Sequence, residues 1–338
     1  MLAHSHPEAS MLAVTYHRVG PAREVLSVAQ VETPSPGPGE VRVKLATSGV
    51  NPSDVKSRAG VRNKVLPFPL IVPHSDGAGV IDQVGSGIDP ARIGERAWIW
   101  NGAWGRPFGT AAQFIVLPAQ QAVALPGGID FAAGACLGIP ALTACHAIEL
   151  GGGVAGMTVL ITGGAGAVGH YAVQLAKLGG AQRVIATVSS DAKGSIALAA
   201  GAHAVINYKS EDVGQRCLAL TDGRGVDRIV ELDLAANIAS DLAALRTGGE
   251  IVVYGSGAPE IAVPFFASIL KNVRFQFFIV YNLDAADRAH SIKKLSALLS
   301  RNQLVHQIAA RVPLSRVIEA HELVESGQAI GNVVLDIT

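Results

Sequence analysis

The stretch "TVLITGGAGAVGHYAVQLAK", residues 158–177, constrains the fold more tightly than any other part of the chain. An apolar, β-branched run leads into Gly164-x-Gly166-x-x-Gly169, and a segment with helical spacing follows at once. One glycine permits a tight turn, one lets backbone approach a pyrophosphate, and one lets the helix pack on the sheet. The helix N-terminus then offers free N–H groups and a positive dipole end to phosphate. A plain structural turn would not need this strand before it and this helix after it. The rhythm continues through "RVIATV", "AKGSIALAAG", "AVINY", "EDVGQRCLAL", "RIVEL", a helix near 236–246, and "EIVVYG". Strands alternating with helices mean βαβ units on a parallel sheet. The motif therefore predicts a dinucleotide on the backbone of Gly164, Ala165, Gly166, Ala167, Val168 and Gly169.

The end of the second strand discriminates between cofactors. A site for NAD places an acid about 20 residues beyond the motif, on the ribose 2′-hydroxyl. Here that count lands on Val188, Ser189 and Ser190. The two serines with Lys193 suit a 2′-phosphate instead, by hydrogen bonding and charge. Asp191 is explained as a cap on the next helix. NADPH is the expected cofactor.

Residues 11–125 read differently. "MLAVTYHRV", "EVRVKLATSGV", "GAGVIDQVG", "RAWIW" and "AAQFIVLP" are short strand-like runs closed by glycine, proline or asparagine, the pattern of a compact β module. "DFAAGACLGIPALTACHAIEL" has helical spacing, and so do "DRAHSIKKLSALLSR" and "RVIEAHELVES" near the end. The last strand, "NVVLDI", comes late enough to return to the first module. With 338 residues, nearly half of them hydrophobic, the chain can build two cores. Lysine plus arginine equal aspartate plus glutamate at 27 each, so no basic excess points to nucleic acid. No apolar run of about 20 residues suits a membrane span. Cys136, Cys145 and Cys217 form no metal or disulfide spacing and fit a reducing, cytoplasmic setting. Met1-Leu2-Ala3 recurs as Met11-Leu12-Ala13, which suggests that residues 1–10 are a disordered leader.

From Met11 onward the chain resembles the medium-chain dehydrogenase/reductase superfamily, and within it the zinc-free NADPH:quinone oxidoreductases of the zeta-crystallin-like branch. The resemblance is carried by "GVNPSDVKSRAG", "PHSDGAGVIDQVG", "GTAAQFIVLP", "LGIPALTA", "ITGGAGAVGHYAVQLAKLGGAQRVIATVSS", "GAHAVINY" and "SGQAIGNVVLDI". It implies an α/β protein: a GroES-like β-rich catalytic domain at 11–133 and 285–338, and a Rossmann domain with a doubly wound parallel sheet at 134–284. It implies that Ser189, Lys193 and Tyr208 hold the 2′-phosphate. Asn51, Thr143 and the Tyr254-Gly255 turn would border the nicotinamide half. Asn332 stands where relatives often carry lysine or arginine beside the cofactor. Lys56 and Arg62 stand near places where close relatives have tyrosines along the quinone pocket. The family also favours a homodimer, with "NVRFQFFIVYN" either a buried strand or a sheet edge that pairs with a second copy.

Zinc-dependent members of the superfamily take ligands at places that here hold Asn51, Ser75 and Ile139. The histidine in "PHSD" falls one position early, so no metal site is expected. His74 is read either as a hydrogen-bonded turn residue or as a donor or proton relay on the pocket rim. Asp54 is read as a helix cap or backbone clamp. His146, His170 and His203 have no evident acid partner and read as structural. The expected reaction is hydride transfer from NADPH to a quinone or another conjugated carbonyl, held within about 3–3.5 Å of the donor. Asn51 is the first candidate to donate to the developing oxyanion, His74 the second, and Lys56 a contact for an anionic substituent. Two alternatives stand beside it: reduction of the C=C bond of an enone or enal, and a non-catalytic, crystallin-like NADPH-binding protein.

Overall fold

The computed structural model describes residues 10–61 and 63–337. Nine residues of the expected leader, and Arg62, lie outside the described residues. Ser10, the tenth leader residue, instead opens the first strand. The described residues form two compact units, the first lying within 10–139 and 308–337 and the second spanning 140–307.

In chain order, the first unit carries β1 Ser10–Thr15, β2 Ser27–Glu32, β3 Glu40–Val50, β4 Asp76–Val84, β5 Arg96–Ile99, β6 Phe114–Pro118 and β7 Ala122–Ala124. The second carries β8 Thr158–Ile161, β9 Arg183–Val188, β10 Ala204–Asn207, β11 Val226–Glu231, β12 Leu245–Val253 and β13 Arg274–Phe277. β14 Ile308–Pro313 and β15 Asn332–Asp336 then belong to the first unit again.

β3 organises the first unit. Its inward side chains Val41, Val43 and Leu45 alternate with less buried neighbours, so one face enters the core. It pairs with β4, β6 and the late β15, all antiparallel, in a sheet ordered β14-β15-β3-β4-β5-β7. The late strand thus makes this unit discontinuous in sequence. The core adds Ile81, Ile99, Ile115, Leu117 and Val333 to the β3 residues.

The second unit is a parallel sheet ordered β10-β9-β8-β11-β12-β13. β8 is buried at every position, as expected for a strand with helices on both faces. The chain walks outward from β8 to β10, then returns to β11 and walks the other way. This reversal creates a crevice at the carboxyl ends of β8 and β11, where ligands of such sheets bind. Beneath it, Leu160, Ile185, Ile229 and Ile251 form the core.

Three sequence expectations change. The helical stretch at 130–150 is broken: a turn of helix at Phe131–Gly134, a wide π turn at Leu137–Ala141 containing Pro140, then a helix at Leu142–Glu149. Proline supplies no N–H and clashes with the preceding turn, so a regular helix cannot pass through it. The helix Ala285–Ser300, expected with the first domain, packs in the second unit against Leu142–Glu149. Asp191 is not the cap of its helix. Ser190 is, its hydroxyl accepting the N–H of Lys193 at 3.4 Å.

One buried cation anchors the second unit. Arg228 is 1% exposed, pairs with Glu250 at 2.6 Å, and donates to the carbonyls of Ala147, Ile148 and Leu150. It thereby satisfies the carbonyls left open at the end of the Leu142–Glu149 helix.

Candidate active site

The phosphate loop follows from its glycines. Gly163, one residue before the motif, takes φ +66°, so it and not a motif glycine makes the left-handed turn. A methyl group on Gly169 would lie 2.2 Å from the Gly163 carbonyl oxygen, and one on Gly164 would lie 2.5 Å from the Ala186 side chain. Those two positions need glycine for closeness, not for φ. Gly166 is the N-cap of the helix Ala167–Leu178. The N–H groups of Ala167, Val168 and Gly169 therefore occupy the first turn, where no carbonyl of the same helix can receive them. They suit an anion.

Beside this loop lies a cavity of about 210 Å³, lined by Thr162, Gly163, Thr187, Tyr208, Asp233 and Asn237 among others. It opens where β8, β9, β10 and β11 end, as the strand order requires. Tyr208 is exposed there and its N–H is held by the Val188 carbonyl. Ser189 and Lys193 are half-buried at the end of β9 and the start of the next helix. Tyr254 follows β12, with its N–H on the Glu231 carbonyl. A methyl on Gly255 would meet the Leu232 carbonyl at 2.2 Å, so these two turns touch. Thr143 is buried in the Leu142–Glu149 helix.

The first unit assembles a separate polar cluster at the end of β3. Asn51 is buried; its side-chain amide donates to Asp76 Oδ2 at 2.8 Å, and its backbone N–H is clamped by Asp54 at 2.9 Å. Burial pushes the Asp76 carboxyl well above the ordinary carboxylate range, and the Asn51 hydrogen bond partly opposes this. Lys56 sits half-buried in the last turn of the helix Pro52–Arg58, where its charge faces the negative dipole end. Asn332 is buried at the start of β15.

His74 is 1% exposed, not on a rim, and takes φ +76°. Its Nδ1 is 2.9 Å from Ser48 Oγ and its Nε2 is 2.9 Å from His321 Nε2. One ring must donate to the other, and burial favours the neutral form of both. Burial drives the His74 pKa well below its usual value, and burial takes His321 down to about 3. Ser48 also meets Thr110, which donates to the Asp76 carbonyl. His146, expected without an acid, has the Asp287 carboxylate at 3.9 Å.

Comparison with known proteins supports the same reading. Residues 37–127 match the alcohol dehydrogenase GroES-like domain, and residues 167–301 match the zinc-binding dehydrogenase family. A 2-haloacrylate reductase from a Burkholderia species is 31% identical over 337 residues, covering 96% of this chain and 98% of that protein. The chain belongs to the medium-chain dehydrogenase/reductase superfamily. Rat quinone oxidoreductase is 29% identical, over 92% of this chain and 94% of that one. A mycobacterial structure solved with NADPH superposes with a TM-score of 0.85 at 27% identity, over 97% of this chain and all of that one. As a member of this superfamily the protein is an oxidoreductase.

Zinc is the metal of many medium-chain dehydrogenases, and the donor set here does not fit it. Asn51 is committed to Asp76, Ser75 is a buried neutral hydroxyl, and Ile139 has no donor atom. Among the described residues, no three His, Cys, Asp or Glu side chains cluster in a way that could hold a metal ion. A dinucleotide does fit. The helix start presents the N–H groups of Ala167, Val168 and Gly169, and a Cβ added at the N-cap Gly166 would approach only the Gly163 carbonyl oxygen, at 3.2 Å, so the backbone there stays open to a ligand.

Sequence reading missed Gly163, Thr162, Asp233 and Asn237. The acidic residues after β11 carried a signal, since "VELDLAAN" puts Glu231 and Asp233 at a strand end of a βαβ unit. The ribose rule directs attention to an acid at the end of β9 alone.

Proposed function

We propose that this protein reduces conjugated carbonyl acceptors, quinones first, with NADPH. The observation that carries the reading is the occupancy of the three superfamily metal positions by Asn51, Ser75 and Ile139 in a chain that also has an intact phosphate loop. An acceptor here must bring its own electrophilicity, and a quinone does. When bound, the cofactor supplies the hydride. The N–H groups of Ala167 to Gly169 receive its pyrophosphate, and Ser189, Lys193 and Tyr208 receive the 2′-phosphate, with no carboxylate at the end of β9 to repel it.

In the first unit, Asn51 gives one amide hydrogen to Asp76 and keeps the other for the oxygen on which charge develops. Asp76 fixes the amide plane, so no reorganisation is needed when that charge appears. Lys56 is assigned to anionic substituents of the acceptor. His74 has both ring nitrogens engaged, and it supports Ser48 and Thr110 behind Asp76. The final proton comes from solvent.

The Burkholderia relative named 2-haloacrylate reductase favours a second reading, reduction of an activated C=C bond by the same hydride donor. The assay that separates them is NADPH consumption, with NADH in parallel, against quinones and against enones and 2-haloacrylate after chelator treatment. Quinone-dependent oxidation with a preference for NADPH is expected. Turnover confined to the alkenes would replace the first reading with the second, and turnover restored only by zinc would overturn both.

The three cysteines are buried free thiols, which suits a reducing, cytoplasmic setting. No helix among the described residues is long and apolar enough to cross a membrane. We assign a homodimer formed through β13, which ends its sheet and carries the exposed Phe277.

A further inference from the structure

Under the cavity of the second unit lie two carboxyl groups that the proposed reaction does not use. Glu231 ends β11 and is fully buried; Asp241, in the helix Leu234–Ala244, is 1% exposed and borders the same cavity. Each carboxyl acts on the other: the charge of Glu231 and a hydrogen bond to it hold the Asp241 carboxyl up. Glu231 Oε2 and Asp241 Oδ2 are buried and accept from no donor among the described residues. Two coupled, buried carboxylates repel each other, which favours one proton held between the two unpartnered oxygens.

The other oxygen of Glu231 is fully employed. Oε1 accepts the backbone N–H of Asp233 at 2.5 Å and the Asn237 amide at 2.9 Å. These bonds shape the turn Leu232–Leu234, whose Leu232 and Asp233 line the cavity. The same turn meets the phosphate loop, because the Leu232 side chain approaches Gly163 so closely that a methyl there would sit 2.4 Å away. Thr162 links them as well, accepting the Leu232 N–H while donating to the Val230 carbonyl.

We infer that Glu231 and Asp241 share one proton and, through it, act as a positioning pair that keeps the β11 turn in the shape that receives the cofactor. Among the described residues the ionisable groups around the pair are acidic or weakly acidic, apart from Arg216 beside Cys217, whose charge is paired with Glu211 at 2.7 Å. Asp233 stands on the turn, Cys217 on the helix Val213–Ala219, and Tyr254 after β12. The charge of Lys271 is spent on the carbonyls of Leu242, Ala243 and Leu245 at the far end of the Asp241 helix. Loss of the proton therefore puts a second negative charge, without a counterion, below a pocket built for a phosphorylated ligand. Burial and the charge on Glu231 raise the Asp241 carboxyl to about 9, so the loss falls in the alkaline range.

The inference rests on the cofactor reading, and two measurements keep their failures apart. The first is the infrared carbonyl band of a protonated carboxyl that the wild type shows and Asp241→Asn and Glu231→Gln lack, the buried Asp76 contributing equally to all three, followed from pH 7 to 10. The second is the NADPH dissociation constant over the same range. Either amide can donate permanently to the remaining carboxylate, so both variants hold the turn without a titrating proton. The wild type is expected to lose the band near pH 9 and, above it, to lose affinity by up to about tenfold per pH unit more than the variants. Absence of the band in the wild type overturns the shared proton. Equal pH slopes in all three proteins overturn the positioning role. A band without NADPH binding at any pH would reject the cofactor reading and, with it, the positioning role, while the shared proton would stand.

Discussion

At the scale of single residues, the proposed chemistry turns on Asn51. Its amide is oriented from behind by Asp76 at 2.8 Å, while Asp54 clamps its backbone. Asn51→Ala removes the donor to the developing oxyanion and strips Asp76 Oδ2 of its partner. Deleting one such donor costs roughly a hundred- to a thousandfold in kcat. Steady-state kinetics on a quinone should show that loss in kcat, with KM for the acceptor moving far less. A fall in thermal stability with kcat preserved would make Asn51 a structural cap. Asn51 was legible because its place after "GV" is a metal-ligand position in relatives. His74 was legible only in part. The sequence shows a histidine without a ligand set, but its partner His321 lies 247 positions away. No local pattern reveals a ring that only the return of the C-terminal segment brings near. Its φ of +76° is equally invisible, since histidine rarely adopts it.

At the scale of elements, the strand, glycine turn and helix at 158–178 could be read directly, because each residue type there answers a local need. The division of labour among the glycines could not. Gly163, outside the motif, takes the left-handed φ, while Gly169 is required because its Cα lies against the Gly163 carbonyl. Gly169→Ala therefore forces the turn and the helix apart. NADPH titration by fluorescence should show at least a tenfold weaker complex, as the N–H groups of the first helical turn leave their positions. Gly127→Ala is the matched control, since a methyl there meets nothing within 4 Å. If both variants bind alike, the loop is not the phosphate site. Pro140 shows the opposite case. The small, apolar spacing at 131–150 reads as one helix, and a single proline divides it.

At the scale of the whole molecule, the late return of β15 to the first unit was legible from its position after the last βαβ unit. The allegiance of the helix Ala285–Ser300 was not. Amphipathic spacing says that one face is buried, never against which neighbour, and this helix chose the second unit. The same ambiguity attends "NVRFQFFIVYN". β13 is an end strand, paired to β12 on one side. Its outer edge offers unpaired backbone groups, and beside it the short helix Phe265–Leu270 leaves Phe265, Phe266, Ile269 and Leu270 all more than half exposed. An apolar helix next to an open edge is a liability in a monomer. A second copy related by a two-fold axis would relieve both at once, pairing edge with edge and covering the aromatic rings. Sedimentation at micromolar concentration should report a dimer for the wild type. Phe266→Glu combined with Leu270→Lys, two exposed positions that touch neither the phosphate loop nor the acidic pair, should shift it to a monomer that still binds NADPH. A wild-type monomer, or a double variant that remains dimeric, would place the interface elsewhere.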